Sequence, residues 1–384
     1  TTWSYGGGVY CSGGSAVFDG VIIRNNASSS TGYGYGGGMN VEAGATARLR
    51  NCIVRSNSIA ATNYCFGAGI YSEGTLIVSN STIENNSTSS GGYNFGGGVN
   101  LRAGTGSFTN VKILGNTLGG APNFNWGGGL YMEGASTATL TNVLIAGNIL
   151  SGSTFVNGGG GIHIEATGTT LTGMNVTVSE NKRANGGAIN GSGIELETSA
   201  SATFTNSIFY NTNTGAEIDN QSSTITITYS DVRNGFVGAG NINAVPVFVS
   251  TTDFHLQMTS PCLGFGTLPG SPVYDLDNNI RPMPALTNPD MGCYELSQLV
   301  SVNEVSFSEV SFTVYPNPGT EIVTLNAVEP IGELVIFNSV GEEVYSEVVS
   351  VSSAIINICG LNSGIYFIQI KTESGTFTKK FIKQ

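Results

Sequence analysis

Residues 127–148, GGGLYMEGASTATLTNVLIAGN, hold one complete copy of a pattern that repeats along most of the chain. The glycine cluster with its trailing apolar residue returns as GGGVY at 6–10, GGGMN at 36–40, GAGIY at 67–71, GGGVN at 96–100, GGGIH at 159–163 and GSGIE at 191–195. Its last glycine advances by 30, 31, 29, 31, 32 and 32 residues. A second element keeps the same step: DGVIIRN at 19–25, NCIVRSN at 51–57, NSTIENN at 80–86, NVKILGN at 110–116, NVLIAGN at 142–148 and NVTVSEN at 175–181, then a shortened NSIFYN at 206–211. Just ahead of it runs a third short strand, as in ARLRN, LIVSN, SFTN, ATLTN and ATFTN. Three short strands per unit, with Gly and Asn at the corners, describe one turn of a parallel β-helix. A propeller blade needs four strands and about 40 residues.

Stacked coils lie about 4.8 Å apart, so positions in one column should share chemistry. Val9, Met39, Ile70, Val99, Leu130, Ile162 and Ile194 form one apolar column, and Cys11, Val41, Ser72, Leu101, Met132, Ile164 and Leu196 another. Ile22, Val54, Ile83, Ile113, Ile145 and Val178 form the inward column of the second element. Asn51, Asn80, Asn110, Asn142 and Asn175 at its start, and Asn25, Asn57, Asn86, Asn116, Asn148 and Asn181 at its end, read as corner ladders joined through their amides.

The composition agrees with this reading. Charged residues make up 10% of the 384, against about 25% in ordinary soluble domains, and Gly contributes 55. Polarity carried by Asn, Ser and Thr disfavours helix interiors. Glycine without a three-residue period excludes collagen. The net charge of −12, with no basic cluster before the last residues, argues against nucleic acid. No apolar run reaches the roughly 18 residues of a membrane span. Six cysteines without a CxxC pair argue against a zinc ribbon. The chain begins Thr1-Thr2-Trp3 with neither Met nor signal peptide and so reads as a processed or trimmed form.

The expected fold class is all-β: a right-handed parallel β-helix of about 30 residues per coil over 1–232 and a C-terminal cap over 233–295 that covers the open sheet edge. A linker follows at 296–311, then a small antiparallel Ig-like β-sandwich of seven strands over 312–384.

Within that last segment VYPNP (314–318), GELVIFNSVGEEVY (332–345), GLNSGIYFIQI (360–370) and FTKKFIKQ closely resemble the type A sorting domain of the Bacteroidetes type IX secretion system. Cys359 stands where that pattern has a small polar residue. The resemblance implies secretion or outer-membrane-attached display, recognition by the secretion machinery, and Pro316, Asn317, Pro318, Gly341, Gly364, Tyr366, Lys379 and Lys380 as its sorting-signal residues. GNINAVPVFV (240–249), DFHLQMTSPCLGFG (253–266) and NPDMGCYE (288–295) resemble the segment that closes secreted β-helix proteins of that group. The paired GAGI and IENN repeats are similar to those of chlamydial polymorphic outer-membrane adhesins.

Four positions after the last glycine, Ser12, Glu42, Glu73, Arg102, Glu133, Glu165 and Glu197 form an outward column. Stacked like charges repel, so Arg102 is expected to pair with Glu73 and Glu133. Glu42, Glu73, Glu133, Glu165 and Glu197 are candidate Ca²⁺ ligands, calcium being the one cofactor the sequence suggests. The alternative is that each glutamate points into water. Tyr10, Asn40, Tyr71, Asn100, Tyr131 and His163, in the neighbouring outward column, form the expected binding face for a glycan or a surface protein. Trp3, Tyr33, Tyr64, Tyr93 and Phe124, with Tyr5, Tyr35, Phe66, Phe95 and Trp126, would suit sugar rings if exposed. Strand parity instead turns them inward as a core ladder. His163, Glu133 and Glu165 are the only candidates for acid–base chemistry, against a surface histidine beside turn glutamates. Cys262 and Cys293 could cross-link the cap, while Cys11 and Cys52 fall in inward columns as free thiols. Together these features favour an adhesin-like or structural binding module; the alternative is a β-helix polysaccharide lyase or glycoside hydrolase.

Overall fold

The computed structural model describes residues 2–120, 124–151, 158–184, 189–212, 215–296 and 312–384. The chain forms two units, Thr1–Gln298 and Leu299–Gln384. The expected linker, 296–311, lies outside the described residues apart from Leu296. Among the described residues there is no α-helix, and so none long and apolar enough to cross a membrane.

The first unit is a parallel β-solenoid. Val9 pairs with Met39, Met39 with Ile70, Ile70 with Val99, Val99 with Leu130, Leu130 with Ile162 and Ile162 with Ile194, the same stacking the glycine step predicts. Val9, on the first coil, is partly exposed; from Met39 onward this column is closed to water and belongs to one continuous core. Full burial of each Val, Leu or Ile is worth about 1.5–3 kcal/mol.

Coils in the first half of the stack cross four sheets, one more than expected. An aromatic sheet runs through Trp3–Tyr5, Tyr33–Tyr35, Tyr64–Phe66, Tyr93–Phe95 and Phe124–Trp126, and a glycine sheet from Val9–Cys11 to Ile218–Gln221. A long sheet contains Thr75–Glu84 and Thr105–Leu114, and a return sheet contains Ser58–Ala61 and Ser87–Ser90. In the four middle coils, from Thr75–Glu84 to Thr170–Ser179, the two strands expected around the corner asparagine are a single strand in the long sheet, creased where residues such as Asn80 and Asn110 take φ of 48° and 55°. Asn tolerates this left-handed conformation better than most residues. The return strands carry mostly Ser, Ala and Thr and lack an apolar alternation that would reveal them.

In the first coil the expected columns are one residue out of step. Ile23 pairs with Val54 and is buried, whereas Ile22 is exposed. Asn26, and not Asn25, bonds to Asn57, because this corner repeats after 31 residues.

The cap has two parts. Residues 233–244 close the last coil: the Ile242 N–H bonds the Ser230 carbonyl, and Asn241 takes the Ser230 N–H and the Ile227 carbonyl. Residues 245–295 turn back along the side of the stack instead of covering its edge. There Phe254, Leu276, Cys293 and Tyr294 pack on Leu144 and Ala146, and Leu256, Cys262 and Met291 on Ile208. NPDMGCYE is the clip of this arrangement. Arg281 and Glu295, both fully buried, pair at 2.8 Å, and Arg281 donates to Asn142 Oδ1 at 2.7 Å. Cys262 and Cys293 sit in separate clusters as free thiols, so the expected disulfide is not formed. Cys11 and Cys52 are buried and free, as expected.

The second unit is one five-stranded antiparallel sheet, not seven separate strands. Ile322–Asn338 and Glu343–Asn357 each fuse two predicted strands across register shifts near Ile331. Val323, Leu325, Ile356, Leu334, Ile336, Ile368, Ile370 and Phe381 from both halves share a single core.

Candidate functional site

Each turn from the aromatic sheet into the glycine sheet passes through a glycine at positive φ, such as Gly96 at 67° and Gly127 at 67°. A side chain at Gly96 would strike the Val99 carbonyl. Two residues further into the corner, a Cβ on Gly98 would lie 2.6 Å from Ile113, 2.7 Å from the Gly129 carbonyl and 3.0 Å from Asn116. The bend makes the corner concave, and it also breaks strand parity. Cys65, Asn94 and Asn125, the middle residues of the aromatic strands, are the ones that face inward and are buried.

The aromatic rings therefore lie outside the coil, contrary to the parity expectation. They form two stacked columns, in one of which centroids lie 5.0 Å apart for Tyr35–Phe66 and 4.9 Å for Phe66–Phe95 with the rings nearly parallel. Stacked this way, each ring's faces are taken by its neighbours, and only edges and hydroxyls remain. Trp3 and Tyr5, on the first coil, are the exposed members.

These columns cover most of the expected binding face. Tyr71 meets Tyr35 edge-on at 5.0 Å and Tyr131 meets Phe95 at 4.9 Å. Asn40, Tyr71, Asn100, Tyr131 and His163 are buried, and Tyr10 alone of the six is exposed, at 52%. What the sequence suggested as a surface is the floor of a small core outside the coil.

The glutamate column borders this floor and draws its partners from it. Asn40 donates to Glu42 Oε1 at 2.8 Å, the Tyr71 hydroxyl to Glu73 at 2.6 Å, and the Tyr131 hydroxyl to Glu165 Oε1 at 2.6 Å. Arg102 Nε lies 3.6 Å from Glu133, while Glu73 is taken by Tyr71. Burial outweighs the Arg102 charge and pushes Glu133 up to about 7. For Glu165 burial acts upward, but the nearby His163 imidazole and the hydrogen bond from Tyr131 together hold it below the usual range.

At the far end the ring column stops: in the position after Trp126 stands Gly158. The Glu195 carboxylate occupies the space a side chain there would fill. His163 Nδ1 lies 2.9 Å from Glu195 Oε2, and Gln221 donates to Glu195 Oε1 at 3.2 Å. His163 Nε2 lies 3.7 Å from Glu165 Oε2, too far for a hydrogen bond. His163 Nε2, Glu165 and Glu197 present ligand atoms within 4.8 Å of one another. Burial lowers the imidazole's affinity for a proton, yet the neighbouring Glu165 and Glu195 carboxylates more than reverse this, raising it to about 9. Of the calcium candidates, Glu165 and Glu197 are thus brought together with a histidine, and of the acid–base candidates, His163 and Glu165.

A second surface lies on the long sheet. Its outward positions are Thr105, Ser107 and Thr109, then Thr137, Thr139 and Thr141, Thr170, Thr172 and Met174, Ser201, Thr203 and Thr205, and Thr224, Thr226 and Thr228, all in register. Only Met174, where the cap's Gly270 approaches, lacks a hydroxyl. Thr205 and Thr228 bond at 3.2 Å, as do Thr105 and Thr75. The alternation in ATLT, ATFT and TITIT carries this signal in the sequence, where the first two read only as copies of a third short strand.

In the second unit Asn317 fastens its segment to the last strand, accepting from the Ile382 N–H at 2.9 Å and donating to the Lys380 carbonyl. Gly341 turns a hairpin at φ 83°. Tyr366 stacks on Phe381 at 5.5 Å and bonds the Asn362 carbonyl, while Lys379 lies over Phe312. Pro316 and Pro318 follow the first strand, and Gly364 opens the strand before the basic ending. No curated protein matches the chain. Residues 313–384 match the family described as the secretion system C-terminal sorting domain, so the protein carries a type IX sorting unit, which engages the secretion machinery and delivers it to the exterior, attached at the cell surface.

Proposed function

We propose that the protein is a surface-displayed, adhesin-like binding module of a Bacteroidetes cell whose solenoid docks on an extended neutral glycan. The observation that carries this reading is the flat hydroxyl lattice between Thr105 and Thr228. Its rows lie about 4.8 Å apart across strands, and alternate residues about 6.6 Å apart along them. Each Thr offers a methyl beside a hydroxyl, and the lattice carries no charge to be desolvated. An insoluble polysaccharide presents the same mixture of hydroxyls and C–H groups at regular spacing. The stacked aromatic columns, whose faces are spent on one another, contribute a rigid wall. Right-handed winding of the solenoid, as parallel crossovers take, and an Ig-like arrangement of the sorting sheet belong to the same reading.

The test is retention of the full chain on insoluble neutral polysaccharides. Retention is expected for the native protein and is lost in a Thr139→Lys, Thr203→Lys double variant whose β-sheet circular dichroism is unchanged. Equal retention of the two proteins, or none by the native one, overturns the reading.

One observation favours glycan cleavage instead: the local environment drives Glu133 up to about 7 and Glu165 down, the separation an acid and its partner carboxylate require. Turnover of a bound polymer that disappears in Glu133→Gln would establish that alternative.

A further inference from the structure

We infer that His163, Glu165 and Glu197 form a binding site for a divalent transition-metal ion of the zinc class, with Glu195 orienting the imidazole. Glutamates stacked in a column would not by themselves indicate a site. The independent observation is His163 Nε2: the residue is fully buried, this nitrogen has no hydrogen-bond partner, and it points into the carboxylate pair. Buried polar atoms are ordinarily satisfied, so an orphan at this place asks for a ligand.

The geometry around it follows the pattern of metal-bound histidines. Glu195 Oε2 accepts from Nδ1 at 2.9 Å and keeps the proton on that nitrogen, so a metal that displaces the Nε2 proton to solvent finds the Nε2 lone pair positioned to coordinate. Gln221 holds the other oxygen of Glu195, and Gly158 makes room for that carboxylate. The Tyr131 hydroxyl occupies Glu165 Oε1 and so presents Oε2, 3.7 Å from Nε2. Two ligands at 2.0–2.2 Å in tetrahedral array would stand about 3.4 Å apart, so a small side-chain adjustment closes the site. One imidazole nitrogen and two carboxylate oxygens suit zinc, cobalt or manganese; calcium calls for six to eight oxygens, more than this group offers.

The chain supplies its own control. His255, the other histidine, has Nδ1 on Asp253 at 2.5 Å and Nε2 on Asp277 at 2.7 Å, so neither nitrogen is orphaned. The experiment uses the full chain after chelator dialysis, with the exposed thiol removed as Cys359→Ser. Zn²⁺ should bind with one-to-one stoichiometry by calorimetry and raise the melting temperature. Co²⁺ should give the visible absorption of a low-coordinate site. Glu197→Gln and Glu165→Gln should each weaken Zn²⁺ by tenfold or more, while His255→Gln leaves it unchanged. Absence of stoichiometric Zn²⁺ binding overturns the inference. So does binding that survives both glutamate variants, or a Ca²⁺ shift equal to that of Zn²⁺.

Discussion

The solenoid has two polar corners that are built in opposite ways. At the corner inside the coil, Asn26, Asn57, Asn86, Asn116, Asn148, Asn181 and Asn211 pass hydrogen bonds from one coil to the next at 2.8–3.2 Å. Through most of its length each amide oxygen also takes the backbone N–H of the coil before, and each amide nitrogen also reaches a backbone carbonyl. The ladder ends on Glu217, which accepts from Asn211 and pairs with Arg233 at 3.2 Å. At the concave corner outside the coil the column changes identity, from Tyr131 to His163 and from Trp126 to Gly158, and there buried atoms of Glu133 and His163 lack hydrogen-bond partners. Where a ladder repeats without change it satisfies itself and is architecture; where it is interrupted, capacity for a ligand is left over.

Breaking the inner ladder should have the largest effect. Asn116→Ala strands the Asn86 N–H and the Ile83 carbonyl, and unfolding by denaturant should show a loss of about 3 kcal/mol or more. A loss below about 1 kcal/mol would mean that the ladder is not the structural element it is taken for.

Phe95→Ala removes a ring held between Phe66 and Trp126 and against Tyr131. Because that stack lies outside the coil and is half-exposed, the expected loss is smaller, about 2 kcal/mol. Tyr131 should become accessible to quenchers. A cost equal to that of Asn116→Ala would erase the distinction between the corners.

The end of the ladder also sets a pH dependence. Burial, working against the bonds to Asn211 and Arg233, pushes Glu217 up to about 7, and burial with the Glu295 charge does the same to Asp290 in the cap. Both are raised above their unfolded values. Their contribution to stability is therefore complete below about pH 4 and is lost as pH rises through 7. The melting temperature should fall between pH 5 and pH 8, and Asp290→Asn should flatten that fall. A melting temperature that climbs over this range would contradict the assignment.

The outer asparagine ladder is the mildest case. Asn110 bonds Asn80 at 3.1 Å and Asn142 at 3.0 Å on the partly solvated side of the crease. Asn110→Ala should cost about 1 kcal/mol, mainly from the left-handed backbone.

Repetition made much of this legible in the sequence. The glycine step set the stacking, and the columns at Val9, Cys11 and Val54 proved buried or nearly so, apart from Ile22 in the first coil, whose place is taken by Ile23. The closing octapeptide NPDMGCYE pointed to a cap, yet only its contacts showed why: Asp290 and Gly292 hold Asn175, Cys293 holds Thr177 and Glu295 holds Arg281, rather than the open edge of the stack. His163 and Glu165 were visible as neighbours in adjacent columns. Glu195 falls next to His163 in the same column, but its role was not legible, since it depends on the missing side chain at Gly158, thirty-seven residues earlier in the chain.

The sequence by itself determined that this chain is a stack of parallel coils with Gly and Asn corners and an export unit at its end. A translational repeat writes its period directly into the residues, and a sorting domain carries its own motif. Only the tertiary structure decided which side of the aromatic strands faces water. Parity along a strand predicts orientation only while the backbone stays extended, and the positive-φ glycines at 36, 67, 96 and 127 turn it over. That single reversal puts the rings outside the coil, buries Tyr71, Tyr131 and His163 beneath them, and gathers His163, Glu165 and Glu197 at the place where the rings end.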